Sequence, residues 1–153
     1  MANWVLAIDE DARKLDDFRA NASKRVAPLQ GLPVSTSTGP TWALAWAAAD
    51  RAPVDVHSRQ DGTTVRWGEP RDEEGQLQSA AQIHSAWLGG KCEQWDGFYS
   101  AVSLDDAGRS ATVGTDVLGV FPVYYWSNGK GLALVATSPE LFLCHESFRP
   151  SID

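Results

Sequence analysis

The sequence predicts an α+β domain built from layered antiparallel sheets, not a parallel doubly wound one. Strand-like runs flank Gln60-Asp61-Gly62 and Asn128-Gly129, and Asp-Gly and Asn-Gly between alternating runs favour tight hairpin turns. Apolar residues recur at spacings of three and four from Leu15 to Val26 and from Leu77 to Leu88, the stripes of two amphipathic helices. Strands joined by hairpins pair antiparallel, because parallel neighbours need long crossovers.

Taken in order, Trp4 to Ile8 is a short apolar run that fits a buried strand. Asp9-Glu10-Asp11 then supplies capping and first-turn acids for a helix carrying Leu15, Phe18, Ala22 and Val26 on its inner face. Lys24 and Arg25 suit the dipole at its end, and Pro28 stops it. Asp16 and Asp17 lie on its outer side and form a solvated face, not an acid/base pair. Val34 to Thr38 alternates like a strand, and Gly39-Pro40 is a turn. Trp42 to Ala49 is compatible with strand or helix, and its context favours strand. Val54 to Arg59 and Thr63 to Trp67 make the first hairpin.

Gly68 to Gly75 is charged and turn-rich. Leu77, Ala80, Ala81, His84, Trp87 and Leu88 form the second helical stripe, ended by Gly89-Gly90, with His84 a packed or half-exposed residue on it. A strand over Phe98 to Leu104, a turn over Asp105 to Gly108 and a strand over Ser110 to Thr115 follow. Val123 to Trp126 and Leu132 to Ala136 flank the Asn128-Gly129 turn. Ser138-Pro139-Glu140 then reads as N-cap, first-turn proline and acid ahead of a last helix.

The bulk properties exclude several classes. At 153 residues the chain is expected to form one domain with a substantial core. A net charge of -7 argues against a nucleic-acid or anionic-membrane partner, which clustered Lys and Arg would be needed to bind. The first residues lack a basic n-region, so no signal peptide is read there, and no window is long enough to span a bilayer. Cys92 and Cys144 stand far apart without a Cys-x-x-Cys or Cys/His cluster, which points to two reduced, partly buried thiols in a cytoplasmic protein. The seven Trp are expected in the core and on sheet faces. His57 and Ser58 are adjacent on a strand and face opposite sides, so no hydrolytic triad is read there. Gly114-Thr115-Asp116 with Gly119 is no phosphate loop, since neither a Lys nor a helix follows.

Trp95 to Leu141 contains three further runs in order. Trp95-Asp96-Gly97-Phe98-Tyr99-Ser100-Ala101 resembles a Leu-Asn-Gly-x-Phe-Ala-like run. Asp116, Gly119, Pro122, Tyr124 and Tyr125 match an Asp-x-x-Gly-x-x-Pro-x-Tyr-Tyr pattern. Val135-Ala136-Thr137-Ser138-Pro139-Glu140 is similar to a Phe-Ala-Ser-Glu-like run before a helix. These runs, at this spacing, resemble the class II glutamine amidotransferase domain found at the N-terminus of asparagine synthetases, β-lactam synthetases and their relatives. Trp67-Gly68-Glu69 stands where that family has Asn-Gly-Glu. The resemblance implies a four-layer αββα sandwich, two stacked antiparallel sheets between helices, as in N-terminal-nucleophile hydrolases. It assigns residues 1–146 to the domain and 147–153 to a linker or tail towards a missing synthetase domain.

Glutamine hydrolysis in that family uses an N-terminal cysteine as nucleophile, its own α-amine as base, and an Asn with a Gly N–H at the oxyanion. Here Ala2 follows Met1 and has no nucleophile, and Asn3 is not one either. Trp67 replaces the asparagine and leaves Gly68 alone of that pair, and Cys92 and Cys144 cannot supply a terminal amine. The resemblance therefore implies a non-catalytic domain with no catalytic, substrate-binding or metal site of its own. Its expected partner is the synthetase domain or subunit of an ATP-dependent amide-forming ligase, which would hold ATP and Mg and a peptide or small carboxylate substrate. The alternative is a free-standing peptide- or protein-binding module that uses exposed aromatics.

Overall fold

The computed structural model describes residues 3–27, 31–91, 95–106 and 110–150. Expectations that rest on Ala2, Pro28, Cys92, Gly108, Ile152 and Asp153 lie outside the described residues. The first half of the chain forms β1 (Asn3–Ile8), α1 (Ala12–Arg25), β2 (Val34–Thr38), β3 (Trp42–Ala47), β4 (Val54–Arg59) and β5 (Gly62–Gly68). The second half forms α2 (Ala80–Leu88), β6 (Tyr99–Asp105), β7 (Ser110–Thr115), β8 (Tyr124–Ser127), β9 (Ala133–Ala136) and a 3-10 helix, Pro139–Cys144. All strand pairings are antiparallel and fall in two sheets, so the class is α+β. No helix among the described residues is long and apolar enough to cross a membrane. The chain divides into two compact units, Met1–Asp50 with Val123–Asp153, and Arg51–Pro122.

The first unit holds a five-stranded sheet in the order β2-β3-β1-β9-β8. Alternation along β3 sends Ala43, Ala45 and Ala47 to one face, where they join the core beneath α1. These small side chains let the helix lie close, and Leu15, Phe18, Ala22 and Val26 fill the space with Val5, Ala7, Leu134 and Ala136. Trp42, Leu44 and Trp46 take the opposite face and are buried as well, as are Trp4 and Leu6 of β1, so both faces of the central strands are out of water. Helix α1 starts where Asp11 accepts hydrogen bonds from the Arg13 and Lys14 amides, and Lys24 and Arg25 sit in its last turn. Asp16 and Asp17 are exposed and pair with Arg19 and Arg13.

The last helix starts as expected, with Ser138 at the N-cap position, Pro139 in its first turn and Glu140 as first-turn acid, but it is a 3-10 turn and Ser138 makes no side-chain cap bond. Leu141, Phe142 and Cys144 are buried on so short an element that its packing, not its capping, holds it. Phe148, within the stretch read as tail, packs edge-on against Trp126 and Phe142, with ring centroids 5.2 and 5.5 Å away.

The second unit holds the sheet β4-β5-β6-β7 with α2 on one face. Ile83, Trp95, Tyr99 and Ala101 form the core there, flanked by Ala86 and Trp87. Gly114 of β7 leaves room for Trp87, since a Cβ at that position would stand 2.9 Å from the indole ring. Helix α2 is shorter than its stripe suggested. A capping box between Ser79 and Gln82 fixes its start, and the Asp55 carboxylate accepts from the Ala80 amide at 2.8 Å. Leu77 therefore lies outside the helix, bridged to Arg71, and both Leu77 and Leu88 are exposed. Phe98 likewise precedes its strand and is exposed.

Candidate functional site: the cleft between Gly68 and Phe98

Beyond the paired ends of β5 and β6 the two chains continue side by side. The Glu69 amide donates to the Phe98 carbonyl at 2.9 Å, and Arg71 and Asp96 exchange backbone bonds of 2.8 and 2.9 Å. This close approach demands glycine at two points. A Cβ on Gly68 would stand 2.1 Å from the Phe98 oxygen, and one on Gly97 would stand 2.2 Å from the Glu69 oxygen. Both residues also adopt positive φ, +89° and +96°. The Trp67-Gly68-Glu69 and Asp96-Gly97-Phe98 segments are thus brought together by backbone geometry.

They border a cleft of about 360 Å³ whose apolar walls are Pro53, Phe98 and Phe121 and whose base includes Gly68 and Gly97. Glu69 and Arg71 stand at its rim, paired at 3.0 Å, and Arg71 also donates to the Gly75 carbonyl. The described lining residues include no Ser, Thr, Cys or His side chain that could act as a nucleophile. Trp67 is buried and offers no amide side chain to the site.

Asp116 shapes one wall. Its Oδ1 accepts from the Leu118 and Val120 amides at 3.1 and 3.0 Å, and its Oδ2 accepts from the Phe121 amide at 3.0 Å. Burial pushes its carboxyl up, but the backbone donors outweigh burial and hold it below the ordinary value of 3.8. Thr115 donates to the Phe121 carbonyl at 3.0 Å, so Phe121 is fixed from two sides. Gly119, at φ +65°, lets the loop turn. The same loop leaves Val117 and Leu118 exposed by 67% and 77%, the largest values among the exposed large hydrophobics of this unit.

The remaining residues weighed from sequence lie elsewhere. Asn3 is occupied structurally: its amide donates to the Val26 carbonyl at 2.9 Å, and its oxygen accepts from Thr137. Cys144 is buried, and burial pushes its thiol up to about 11 despite the Arg25 charge, so it stays protonated and unreactive. His57 and Ser58 do face opposite ways, the first with its ring tilted against His84 and the second bonding Thr63. Trp4, Trp42, Trp46, Trp67 and Trp95 are buried, as expected.

A polar cluster beneath α2 escaped sequence reasoning. His84 Nδ1 bonds the Thr64 hydroxyl at 2.9 Å, and that hydroxyl bonds Ser103 at 2.7 Å. Asp61 Oδ1 lies 3.7 Å from His84 Nε2. The combination has the parts of an acid–base–hydroxyl relay, but Thr64 and Ser103 are buried and present no nucleophile to solvent. The only advance signal was the Asp61-Gly62 hairpin, whose register sets Thr64 opposite His57; the pairing that sets Thr64 opposite Ser103 carried none. Elsewhere His145 Nε2 lies 3.3 Å from Asp9. Burial holds the His145 ring below its ordinary 6.5, with Lys14 adding to the shift and Asp9 and Glu146 opposing it. No group of three or more His, Cys, Asp or Glu among the described residues could hold a metal ion. No protein-family model matches the chain, and the curated proteins contain no match to it.

Proposed function

We propose that this chain is a non-catalytic, glutamine amidotransferase-like N-terminal domain of an asparagine-synthetase-type ligase, and that it supports the synthetase domain or subunit. The reading includes the four-layer stacking of the two sheets. The observation that carries it is the meeting of Gly68-Glu69 with Asp96-Gly97-Phe98 in one cleft that lacks a nucleophile among its described lining residues. One run that suggested the family, Trp95 to Ala101, lies there beside Trp67-Gly68-Glu69, and on this reading the buried Trp67 stands where that family has asparagine. A cleft of this kind is suited to packing and shielding rather than to acyl transfer. ATP and Mg would belong to the synthetase partner.

Co-expression with a polypeptide carrying the Ser-Gly-Gly-x-Asp-Ser loop is the test. Co-purification, and amide formation that depends on ATP and on this chain, are expected. Glutamate release from glutamine by the purified chain, or a synthetase that works unchanged without it, overturns the proposal.

A second reading, a module that binds a peptide or partner protein, is favoured by one observation. Phe98 is 55% exposed at the cleft wall, the placement of an aromatic anchor. Capture of a peptide by the purified chain alone, lost in Phe98→Ala, is expected under the second reading and not under the first.

A further inference from the structure

We propose that the turn between β8 and β9 is a self-modifying site, at which Asn128 loses its side-chain amide to form a succinimide and then aspartate or isoaspartate. The reaction requires the following backbone nitrogen to attack the Asn side-chain carbon. Gly129 follows Asn128 and has no side chain to obstruct that approach. The chain's other asparagines precede Trp4 and Ala22, and their side chains are tied to backbone carbonyls of Val26 and Cys144.

The surroundings of Asn128 resemble a small acyl-transfer site. Its Oδ1 accepts from two backbone amides, Lys130 at 2.7 Å and Leu132 at 3.2 Å. These donors polarise the side-chain carbonyl and stabilise the oxyanion that forms when its carbon is attacked. The Gly129 amide donates to Ser127 Oγ at 3.1 Å, and Ser127 donates onward to the Leu132 carbonyl at 3.0 Å. The attacking N–H is thereby held in place and polarised, while the exposed turn admits water and base.

The chemistry balances without a cofactor. The Gly129 nitrogen loses its proton to solvent base and bonds to the Asn128 side-chain carbon. The bond from that carbon to Nδ2 breaks, and Nδ2 takes a proton from solvent and leaves as ammonia. Water then opens the five-membered ring. Attack at the side-chain carbonyl restores the main chain with aspartate, whereas attack at the main-chain carbonyl gives isoaspartate, linked through the former side chain. Either product carries a new negative charge. Isoaspartate also lengthens the main chain at a turn closed by the bond from the Asn128 amide to the Leu132 carbonyl, next to the Ser127–Ala133 pair.

The test incubates the folded chain at mildly alkaline pH, maps its peptides by mass and labels isoaspartate with an isoaspartyl methyltransferase. The same chain held in urea serves as reference. Conversion at Asn128 at least as fast in the folded chain as in urea is expected, with Asn3 and Asn21 unchanged. Ser127→Ala should slow it by about fivefold, the rate equivalent of one hydrogen bond, and Ser127→Thr should restore it. Thermal melts check that both variants remain folded. Slower conversion in the folded chain than in urea, or a Ser127→Ala rate equal to that of the parent, overturns the proposal.

Discussion

Asp116 offers the sharpest test of how the cleft wall is held. Replacing it with Ala removes one acceptor group from three backbone donors, those of Leu118, Val120 and Phe121. Hydrogen bonds to a charged acceptor contribute about 1.5–3 kcal/mol each. They do not add fully here, because Leu118 and Val120 are exposed and water can replace the lost acceptor for their amides. A net destabilisation of about 2–4 kcal/mol is therefore expected, read as a lower urea midpoint at unchanged slope. Asp116→Asn should lie between parent and Ala, since it keeps one oxygen but turns an NH2 towards an amide donor. The acid limb supplies a second reading of the same group. Its folded carboxyl titrates below 3.8, so its contribution is fully present above that value and is lost as pH falls through the folded titration. Both variants should lack this part of the acid-induced loss. A loss below about 0.5 kcal/mol in Asp116→Ala, the range of ordinary surface substitutions, would refute the reasoning.

Three other outcomes follow from the packing. His145 is held neutral by burial, so the unfolded chain binds a proton first: stability should be complete above 6.5 and decline as pH falls through the folded titration, and His145→Gln should flatten that decline in urea titrations across the range. Gly68→Ala should destabilise by about 2–4 kcal/mol, from left-handed strain plus overlap with the Phe98 carbonyl, while Gly75→Ala, at similar φ with open space, should cost about 1 kcal/mol; equal thermal shifts in the two variants would contradict this. In a Cys92→Ser background, Cys144 should react with a thiol reagent only as fast as the chain unfolds, and rapid native-state labelling would show that its burial is overstated.

What could be read from sequence was what local chemistry dictates. Asp61-Gly62 and Asn128-Gly129 marked their hairpins because turn geometry depends on a few residues. The α1 stripe was legible because Leu15, Phe18 and Ala22 repeat at the helical period. Sheet membership was not. Nothing in the last two hairpins showed which sheet each joins: β6 and β7 join β5, while β9 pairs with β1, more than a hundred residues away in sequence. The limits of α2 were missed because Ser79-Ala80-Ala81-Gln82 carries a start signal that the apolar pattern ran through. Thr64, His84 and Ser103 were invisible as a cluster for the same reason as the sheets: only the register of two strands and the docking of a helix bring them together.

Under the proposed reading, the cleft offers a physical reason for a family-like pattern to outlast the chemistry it usually accompanies. Gly68 and Gly97 are required because a Cβ there would stand 2.1 and 2.2 Å from the Phe98 and Glu69 carbonyl oxygens, and neither close approach involves a nucleophile. Asp116 is required by three amides of its own loop, and Phe121 by the wall that this loop builds. Each of these residues answers a demand of folding. By contrast, the identity of the residue at position 67 answers no such demand for an amide: the indole of Trp67 fills a buried site on a strand whose pairing runs unbroken from Gly62 to Gly68. If the proposed family reading holds, an asparagine-to-tryptophan exchange at position 67 alters the chemistry and leaves the ladder intact. On this argument Trp67→Asn by itself should weaken the core without creating glutaminase activity, because the attacking group, its base and the oxyanion donor must act as a unit.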